Sequence, residues 1–271
     1  MIKIVVADMD GTSLGPNEAI SEKNIKTILK VIDSGRDFVF ASGRPTFGMN
    51  GIIKKAGLEE KINYFIAYNG GIVYDVQKDK NIYMKNIDFK IIREIYNIIL
   101  ENNIDISFCL HEKNLIYITQ DNKELEVEVE SNNQTKVFIE NIDDLKDKKF
   151  MKILLVGKKS NLDIAVKKLE ESSVGEEIKM MFSLDHLLEV LPLGSDKAVA
   201  LKWLSEYTNV PLSEILSIGD GENDLEMLKE SGYSSAMNNA YDHVKKFADY
   251  VTKKTNNEDG LTEAVEKFIE L

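Results

Sequence analysis

Near the start of the chain, residues 2–12 (IKIVVADMDGT) join a run of apolar residues to a short acidic turn. A run that is apolar except for Lys3 is typical of a parallel strand that is buried on both faces. Ligands of open α/β sheets bind beyond the carboxyl ends of the strands, which is where Asp8 and Asp10 stand. Because the two aspartates are two residues apart, an extended chain would point them to the same side. Gly11 permits a sharp turn and Thr12 can hydrogen-bond nearby oxygens, although ordinary strand-to-turn junctions use the same residue types.

Strand and helix patterns alternate after this turn. Ser21 is placed to begin a helix whose apolar residues recur every three or four positions, and Gly35 is placed to end it. Further strands are predicted over residues 38–41 and 64–67, with a helix over residues 45–56 between them. The alternation predicts right-handed crossovers and a doubly wound, parallel-sheet, Rossmann-like α/β fold.

The pattern changes at residues 72–84, where two short apolar segments around a polar turn predict a hairpin. Helices and strands then alternate with an apolar complement of their own. The alternating acidic and apolar residues 123–130 fit a strand and a helix equally well. The first pattern returns at residue 188, so we predict a core domain formed by residues 1–84 and 188–271 and an inserted α/β domain of residues 85–187.

A second acidic segment, Gly219-Asp220-Gly221-Glu222-Asn223-Asp224, follows the mainly apolar strand predicted over residues 215–219. A capped helix start explains one acidic residue there better than it explains three. Together with Asp8 and Asp10, this segment would place four or more carboxylates at one edge of one sheet. Two unit charges ~4 Å apart cost about 4 kcal/mol at an effective dielectric constant near 20, so such a cluster requires a cation. Oxygen ligands without neighbouring Cys or His indicate Mg²⁺.

Two further segments fit a phosphate group. Ser42-Gly43-Arg44 follows the second strand, so the Ser42 hydroxyl and the Gly43 backbone amide can face the same sheet edge. Lys197 stands near the start of a helix predicted over residues 195–207, where its ammonium could reach a phosphate as a compact charge. Each of these signals is weak by itself, and they indicate a phosphate site only in combination with the other segments of the core.

Composition limits the partners of the chain. The 271 residues include 46 acidic and 34 basic side chains, for a formal net charge of −12. This charge disfavours nucleic acid and anionic membranes as main partners, and any phosphate site must be made locally positive by a metal or by placed Lys and Arg. The single cysteine, Cys109, lies in an apolar run and is expected to be a buried thiol. No apolar run reaches membrane-spanning length and no secretion signal stands at the N-terminus, so we expect a cytoplasmic protein.

The four segments around Asp8, Ser42, Lys197 and Asp220, in this order, resemble the four motifs of the haloacid dehalogenase superfamily of hydrolases. The long insertion and the turn Asn69-Gly70-Gly71 resemble its Cof-type phosphatases, over the whole length of the chain. The resemblance implies a hydrolase core with an inserted α/β cap domain that sets substrate specificity. It also implies a Mg²⁺-dependent phosphatase acting on small phosphomonoesters, with sugar phosphates as the favoured class.

The resemblance also implies a role for each motif residue. Asp8 would attack phosphorus and become an aspartyl-phosphate, while Asp10 would protonate the leaving alcohol and then activate water. Mg²⁺ would be bound by Asp8, the carbonyl oxygen of Asp10 and Asp220, and Asp224 would brace Lys197 or the metal site. The phosphoryl oxygens would be held by side chains and backbone amides, namely those of Met9, Ser42, Gly43, Lys197 and Asn223. Supporting roles are expected at Thr12, Arg44, Asn69 and Gly70.

Other functions are compatible with parts of this pattern. A sugar phosphomutase or phosphotransferase could use the same aspartyl-phosphate, and phosphate release without a bisphosphate activator would distinguish the phosphatase. A receiver-like signalling domain also combines an acidic cluster, a hydroxyl and a lysine, but it leaves Asp10 and the insertion without a task. A non-catalytic binding protein would not need both Asp8 and Asp10. The pattern does not predict the oligomeric state.

Overall fold

The computed structural model describes residues 1–112, 115–131 and 134–270. The chain divides into a first unit, Met1–Met84 with Asp196–Leu271, and a second unit, Lys85–Ser195. Among the described residues, no helix is both long enough and apolar enough to cross a membrane.

The elements are numbered along the chain within these described ranges. The strands are β1 (Ile4–Asp8), β2 (Asp37–Ala41), β3 (Tyr64–Ala67), β4 (Ile72–Asp75), β5 (Lys80–Met84), β6 (Ser107–Glu112), β7 (Leu115–Ile118), β8 (Thr135–Phe138), β9 (Ile153–Val156), β10 (Ile178–Leu184), β11 (Leu187–Pro192), β12 (Ile215–Gly219), β13 (Tyr233–Ala236) and β14 (Tyr250–Val251). The helices are α1 (Glu22–Asp33), α2 (Thr46–Lys55), α3 (Phe89–Glu101), α4 (Lys123–Ser131), α5 (Lys159–Glu170), α6 (Lys197–Thr208), α7 (Leu225–Glu230), α8 (Asp242–Lys245) and α9 (Gly260–Phe268).

The first unit is built on a sheet with the strand order β14-β13-β12-β1-β2-β3-β4-β5. Neighbouring strands from β14 to β3 are parallel, and β4 and β5 add an antiparallel hairpin at one edge. The predicted α/β fold with a parallel sheet is therefore confirmed, as is the hairpin after it. All residues of β1 and β12 are buried, which explains why their sequences are apolar except for Asp8 and Ser217. Helix α6 packs Ala200, Leu201 and Leu204 against β1, β2 and β3.

Local capping explains where the helices of this unit begin. The Ser21 hydroxyl accepts a hydrogen bond from the amide of Asn24 and so begins α1, as predicted. Helix α6 begins at Lys197 and not at Ser195, because the carboxylate of Asp196 accepts a hydrogen bond from the amide of Val199 at 2.8 Å.

The register of the sheet brings the predicted site segments to one edge. Asp8, the last residue of β1, lies opposite Ala41 of β2. On its other side β1 runs parallel to β12, which ends at Gly219. Ser42 and Asp220 are therefore the first residues beyond the two neighbouring strand ends.

The second unit contains a mixed sheet with the order β10-β11-β9-β6-β7-β8. Helices α3 and α5 cover one face, and the apolar residues there include Phe108 and Leu155. Helix α4 packs on a separate cluster that includes Cys109 and Leu154, so adjacent residues of β6 and β9 serve opposite faces. Cys109 is buried as expected, and burial raises the pKa of its thiol above the ordinary value.

The prediction that residues 188–271 form the second core segment is wrong for its first eight residues. The first unit resumes at Asp196, whereas β11 (Leu187–Pro192) pairs with β10 and β9 in the second sheet. Its hydrophobic sequence fits either sheet, and only the antiparallel partners on both of its sides place it in the second unit.

Candidate active site

A buried ion cluster lies at the carboxyl ends of β1 and β12. The ammonium Nζ of Lys197 is 2.5 Å from Oδ1 of Asp8 and 2.6 Å from Oδ1 of Asp224. The side chains of Lys197 and Asp224 have no solvent exposure, and Asp8 is also buried. Although burial alone would lower the pKa of Lys197, the charges of Asp224 and Asp8 raise it above its ordinary value. Lys197 is therefore a permanent cation at the base of the site.

Asp224 uses both of its oxygens for contacts within the protein. Its Oδ1 binds Lys197, and its Oδ2 accepts hydrogen bonds from the backbone amides of Asp220 and Gly221 at 3.0 and 2.9 Å. These bonds shape the loop after β12 and point Lys197 at Asp8. Asp224 thus contacts Lys197, the residue that the resemblance implied it would brace.

The loop after β1 is a tight turn that reaches Asp220. The backbone amide of Leu14 donates to the carbonyl of Met9 at 2.8 Å, and the side chain of Met9 is fully buried. The hydroxyl of Thr12 donates to Oδ1 of Asp220 at 2.7 Å. Gly11 has a φ of +81°, and a Cβ there would clash with the Asp220 carboxylate, so glycine is required at this position.

Burial disfavours the ionised form of two carboxylates in this cluster, those of Asp8 and Asp220. Burial raises the pKa of Asp8 well above its ordinary value; Lys197 opposes this shift, and Asp224 and Asp220 add to it. Burial raises the pKa of Asp220 from 3.8 to about 6, although the Thr12 hydrogen bond acts in the opposite direction. Three carboxylates face one ammonium, which leaves an excess of two negative charges when all are ionised.

The donor atoms fit a divalent cation. Carboxylate oxygens of Asp8, Asp220 and Asp224 lie within 4.8 Å of one another. Among the described residues, Oδ2 of Asp8 is a buried oxygen without a hydrogen-bond partner. An unsatisfied carboxylate oxygen among hard oxygen donors is a fitting ligand for Mg²⁺, whose charge would offset the excess of the cluster. Both Asp224 oxygens accept short hydrogen bonds, whereas in the described part of the chain Oδ2 of Asp8 has no partner and Oδ2 of Asp220 has only a long contact at 3.5 Å, so Asp8 and Asp220 are the side chains that would hold a metal.

Asp10 lies beside Asp8 in sequence but has different partners. Its carboxylate receives a two-pronged contact from Arg44, with Nη2 to Oδ1 at 2.7 Å and Nε to Oδ2 at 2.9 Å. The Ser42 hydroxyl is 3.4 Å from Oδ2 of Asp10. The expectation that Asp8 and Asp10 point the same way assumed an extended chain. The strand ends at Asp8, and the turn after it carries the Asp10 side chain toward the loop after β2.

The loop after β3 contacts residues that were predicted to hold a phosphate. The side-chain oxygen of Asn69 accepts a hydrogen bond from the side-chain amide of Asn223 at 3.0 Å. The backbone amide of Asn69 donates to the carbonyl of Ser42, also at 3.0 Å. Gly43 lies against the Asn69 side chain. Gly70, with a φ of +94°, passes so close to the backbone before Lys197 that a Cβ would clash. The structure thus brings every predicted site residue to the ends of β1, β2, β3 and β12 and the start of α6.

Sequence reasoning missed two residues that contact the site. The side-chain amide of Asn239 donates to the carbonyl of Gly11 at 2.8 Å and lies 3.5 Å from Oδ2 of Asp220. Glu18 lies 3.2 Å from Nη2 of Arg44. Asn239 follows β13, so its position just beyond a parallel strand was the available signal. Nothing in the local sequence marks Glu18.

Known proteins match almost the whole chain. The family model of haloacid dehalogenase-like hydrolases matches residues 5–265. The chain is 29% identical over 268 residues to 5-amino-6-(5-phospho-D-ribitylamino)uracil phosphatase YcsE of Bacillus subtilis, covering 99% of this chain and 96% of that protein. The solved structure of TM0651 from Thermotoga maritima is 31% identical, with a TM-score of 0.88 and coverage of 100% and 99%. A haloacid dehalogenase-like hydrolase from Bacteroides thetaiotaomicron is 29% identical, with a TM-score of 0.89 and coverage of 99% and 100%.

Proposed function

The chain belongs to the haloacid dehalogenase-like hydrolases, which confirms the resemblance of its motifs, and we propose that it is a Mg²⁺-dependent phosphatase of small phosphomonoesters. The observation that carries the proposal is how the two carboxylate oxygens of Asp8 are bonded. One oxygen of this buried carboxylate is held by Lys197, and the other has no partner among the described residues. A fixed carboxylate with a free oxygen, in a site that favours positive charge, is suited to attack phosphorus.

In the proposed first step, a carboxylate oxygen of Asp8 forms a bond to phosphorus as the ester P–O bond breaks. The departing alcohol oxygen takes a proton from the Asp10 carboxyl, which becomes a carboxylate. The products are an aspartyl-phosphate on Asp8 and a free alcohol.

In the proposed second step, a water oxygen bonds to phosphorus as the bond between phosphorus and Asp8 breaks. Asp10 accepts a proton from that water, so it returns to its starting state. Inorganic phosphate leaves and the Asp8 carboxylate is regenerated. Both steps need the same Asp10 side chain in reach of the reacting oxygen.

The remaining residues supply charge and position. Asp8, Asp220 and the carbonyl oxygen of Asp10 would hold Mg²⁺, which would supply positive charge to offset the carboxylates and to polarise a phosphoryl oxygen. Lys197 adds a fixed cation, while Ser42 and Asn223 hold phosphoryl oxygens together with backbone amides near Met9 and Gly43. Asn69 supports this arrangement, since it accepts a hydrogen bond from Asn223. Such sites act mainly by positioning and by charge stabilisation.

For the substrate we propose phosphate esters of sugars or related polyols. The relative from Bacillus subtilis is named for a substrate whose phosphate is on a ribityl chain, a polyol with an alkyl phosphate. An alkyl alcohol leaves poorly as its alkoxide, so its departure needs an acid such as Asp10 to protonate it. The residues that would recognise the polyol are expected in the second unit, where the resemblance places substrate specificity.

Turnover of para-nitrophenyl phosphate with and without Mg²⁺ tests the activity. We expect phosphate release that requires Mg²⁺, stops with a chelator and is absent from Asp8→Asn. Activity that is unchanged by the chelator would contradict the metal requirement, and activity in Asp8→Asn would contradict the nucleophile. Phosphate transfer to a sugar phosphate, in place of phosphate release, would support the phosphotransferase alternative.

A panel of substrates then tests the substrate class. It should contain sugar phosphates, 5-amino-6-(5-phospho-D-ribitylamino)uracil, nucleotides, flavin mononucleotide and pyridoxal phosphate. We expect the highest kcat/KM among the sugar and ribityl phosphates. A nucleotide or pyridoxal phosphate at the head of the ranking would overturn the polyol assignment while leaving the phosphatase assignment intact.

A further inference from the structure

We propose that Arg44 is a positioning residue that sets the direction of the Asp10 carboxylate for both proton transfers, and that Glu18 steadies it. This inference rests on the proposed function, because it concerns the acid and base of that reaction. It assigns Arg44 to Asp10 rather than to the phosphate.

The position of the Asp10 side chain requires an explanation. Just over half of that side chain, 53%, is exposed, whereas Asp8 is buried and fixed by Lys197. An exposed carboxylate free of restraint would sample several rotamers. In the part of the chain that the structure describes, the Asp10 carboxylate accepts hydrogen bonds only from Arg44 and Ser42, and the Ser42 contact is long at 3.4 Å. Arg44 is therefore its principal restraint.

The geometry of Arg44 suits this task. Its planar guanidinium places Nη2 and Nε on the two oxygens of Asp10, which fixes direction as well as distance. A carboxylate oxygen has two lone pairs, so each oxygen keeps capacity for a proton or for a water hydrogen. The pairing therefore holds Asp10 without closing it to proton transfer.

Arg44 is itself held on three sides. Its backbone amide donates to the Ser42 hydroxyl at 3.1 Å, and its carbonyl accepts from the amide of Tyr68 at 3.1 Å. A carboxylate oxygen of Glu18 lies 3.2 Å from Nη2 of the guanidinium. The side chain is only 25% exposed. Most surface ion pairs contribute little because they are mobile, and these restraints distinguish Arg44 from them.

The decisive experiment is a double-mutant cycle of Arg44→Ala and Asp10→Asn, with Arg36→Ala as the control. Arg36 immediately precedes β2, whereas Arg44 follows its other end. For an alkyl phosphate we expect Arg44→Ala to lower kcat by about 10²-fold, the scale of a small misplacement of a catalytic group. Adding Arg44→Ala to Asp10→Asn should change kcat little, because the group that Arg44 directs is already gone. Arg44→Lys should retain only part of the activity, since an ammonium lacks the planar pair of N–H donors that bind both oxygens of Asp10.

Inhibition by inorganic phosphate separates positioning from phosphate binding. If Arg44 directs Asp10, the inhibition constant of phosphate and the KM of the substrate stay near their wild-type values in Arg44→Ala. A raised inhibition constant together with multiplied losses in the double mutant would overturn the proposal, because Arg44 would then bind the phosphoryl group.

A purely structural role would show a third pattern. Arg44→Ala would then lower the melting temperature and slow para-nitrophenyl and alkyl phosphates by the same factor. That result would also overturn the proposal, since positioning of a proton donor predicts a larger loss on the alkyl ester. Wild-type turnover and its absence in Asp8→Asn test the proposed function separately, so a failure here does not affect it.

The pair itself can be observed without turnover. In heteronuclear NMR of the arginine Nε–H groups, Arg44 should give a proton that exchanges slowly in the wild type and rapidly in Asp10→Asn. Rapid exchange in both proteins would show that the pair does not persist in solution and would contradict the proposal.

Discussion

The ammonium group of Lys197 lies 2.5 Å from a carboxylate oxygen of Asp8, although 189 positions separate the two residues in the chain. Lys197 stands in the first turn of α6 and Asp8 at the last position of β1. The contact ties the start of the chain to the segment that follows the second unit. Lys197 also binds Asp224, and within the described residues it is the only cation paired with these two buried carboxylates.

Loss of this ammonium should destabilise the protein as well as inactivate it. Lys197→Met leaves two buried carboxylates without their counter-ion, and breaking a buried pair in this way costs about 3–5 kcal/mol of unfolding free energy. Chemical denaturation measures the change. The matched control is Lys202→Met on the same helix, whose half-exposed pair with Glu230 should be worth less than about 1 kcal/mol. Equal effects of the two substitutions would contradict the assigned role of Lys197.

Much of this arrangement could be predicted because it depends on short-range pattern. The residues of β1 before Asp8 are all apolar because the strand is buried on both faces, and parallel strand ends meet at one edge, so Asp8 and Asp220 could be brought together from sequence. The capping by Ser21 is equally local.

The parts that escaped prediction depend on tertiary partners. The pairs of Arg44 with Asp10 and Asn69 with Asn223 join different loops, and no periodicity reveals them. The undecided residues 123–130 form α4, although their apolar residues alternate as in a strand. The helix buries Leu125 and Val129, four residues apart, and leaves Val127 58% exposed. Packing of Leu125 and Val129 against the second sheet, and not the alternation of the sequence, therefore determines that this segment is a helix.

Replacement of the proposed nucleophile is expected to abolish turnover and preserve the fold. Asp8→Asn keeps the shape of the side chain and can still accept a hydrogen bond from Lys197, but an amide is a poor nucleophile. The phosphatase assay measures the loss, and circular dichroism with the melting temperature checks the fold. Retention of more than a trace of wild-type activity in the purified variant would show that Asp8 is not the nucleophile.

Replacement of Asp220 should affect metal binding and metal-free stability in opposite senses. Asp220→Ala removes a metal ligand, so calorimetry should show weaker Mg²⁺ binding. It also removes one charge from a crowded acidic cluster. We expect the melting temperature in metal-free buffer to rise by about 2–4 °C, which corresponds to roughly 1 kcal/mol in a protein of this size. A lower melting temperature in both metal-free and Mg²⁺ buffers would instead show that Asp220, with its Thr12 bond, is mainly structural.

The raised pKa of Asp220 predicts a pH dependence of stability. In the metal-free folded protein, burial raises the pKa of this carboxyl to about 6, against 3.8 for the ordinary carboxyl. Between pH 3.8 and about 6 the Asp220 carboxyl binds more protons in the folded state than in the unfolded state. Its contribution to the free energy of unfolding therefore falls as pH rises through this range and is constant above it. Mg²⁺ requires the ionised form, so the stabilisation by Mg²⁺ should grow as pH rises through about 6. Melting curves over this pH range, with chelator and with Mg²⁺, measure both trends. If the melting temperature of Asp220→Asn in metal-free buffer changes with pH as it does in the wild type, another group causes the pH dependence.

The last prediction separates Asp10 from Asp8 by the step that each controls. Asp10→Asn keeps the backbone carbonyl proposed as a metal ligand but removes the group that carries protons. General acid–base help is worth about 10²–10⁴-fold, so the loss should be large for alkyl phosphates and smaller for para-nitrophenyl or acetyl phosphate, whose leaving groups need no proton.

With these activated substrates the first step of Asp10→Asn still forms the aspartyl-phosphate, but the asparagine cannot deprotonate water in the second. The intermediate should therefore accumulate. Intact-protein mass spectrometry after an acid quench should show a phosphate adduct on Asp10→Asn and none on Asp8→Asn. Equal losses with activated and alkyl substrates, together with no adduct, would remove Asp10 as the acid and base. The pairing with Arg44 would then stabilise the loop after β1 without directing a proton, because Asp10 would no longer have one to transfer.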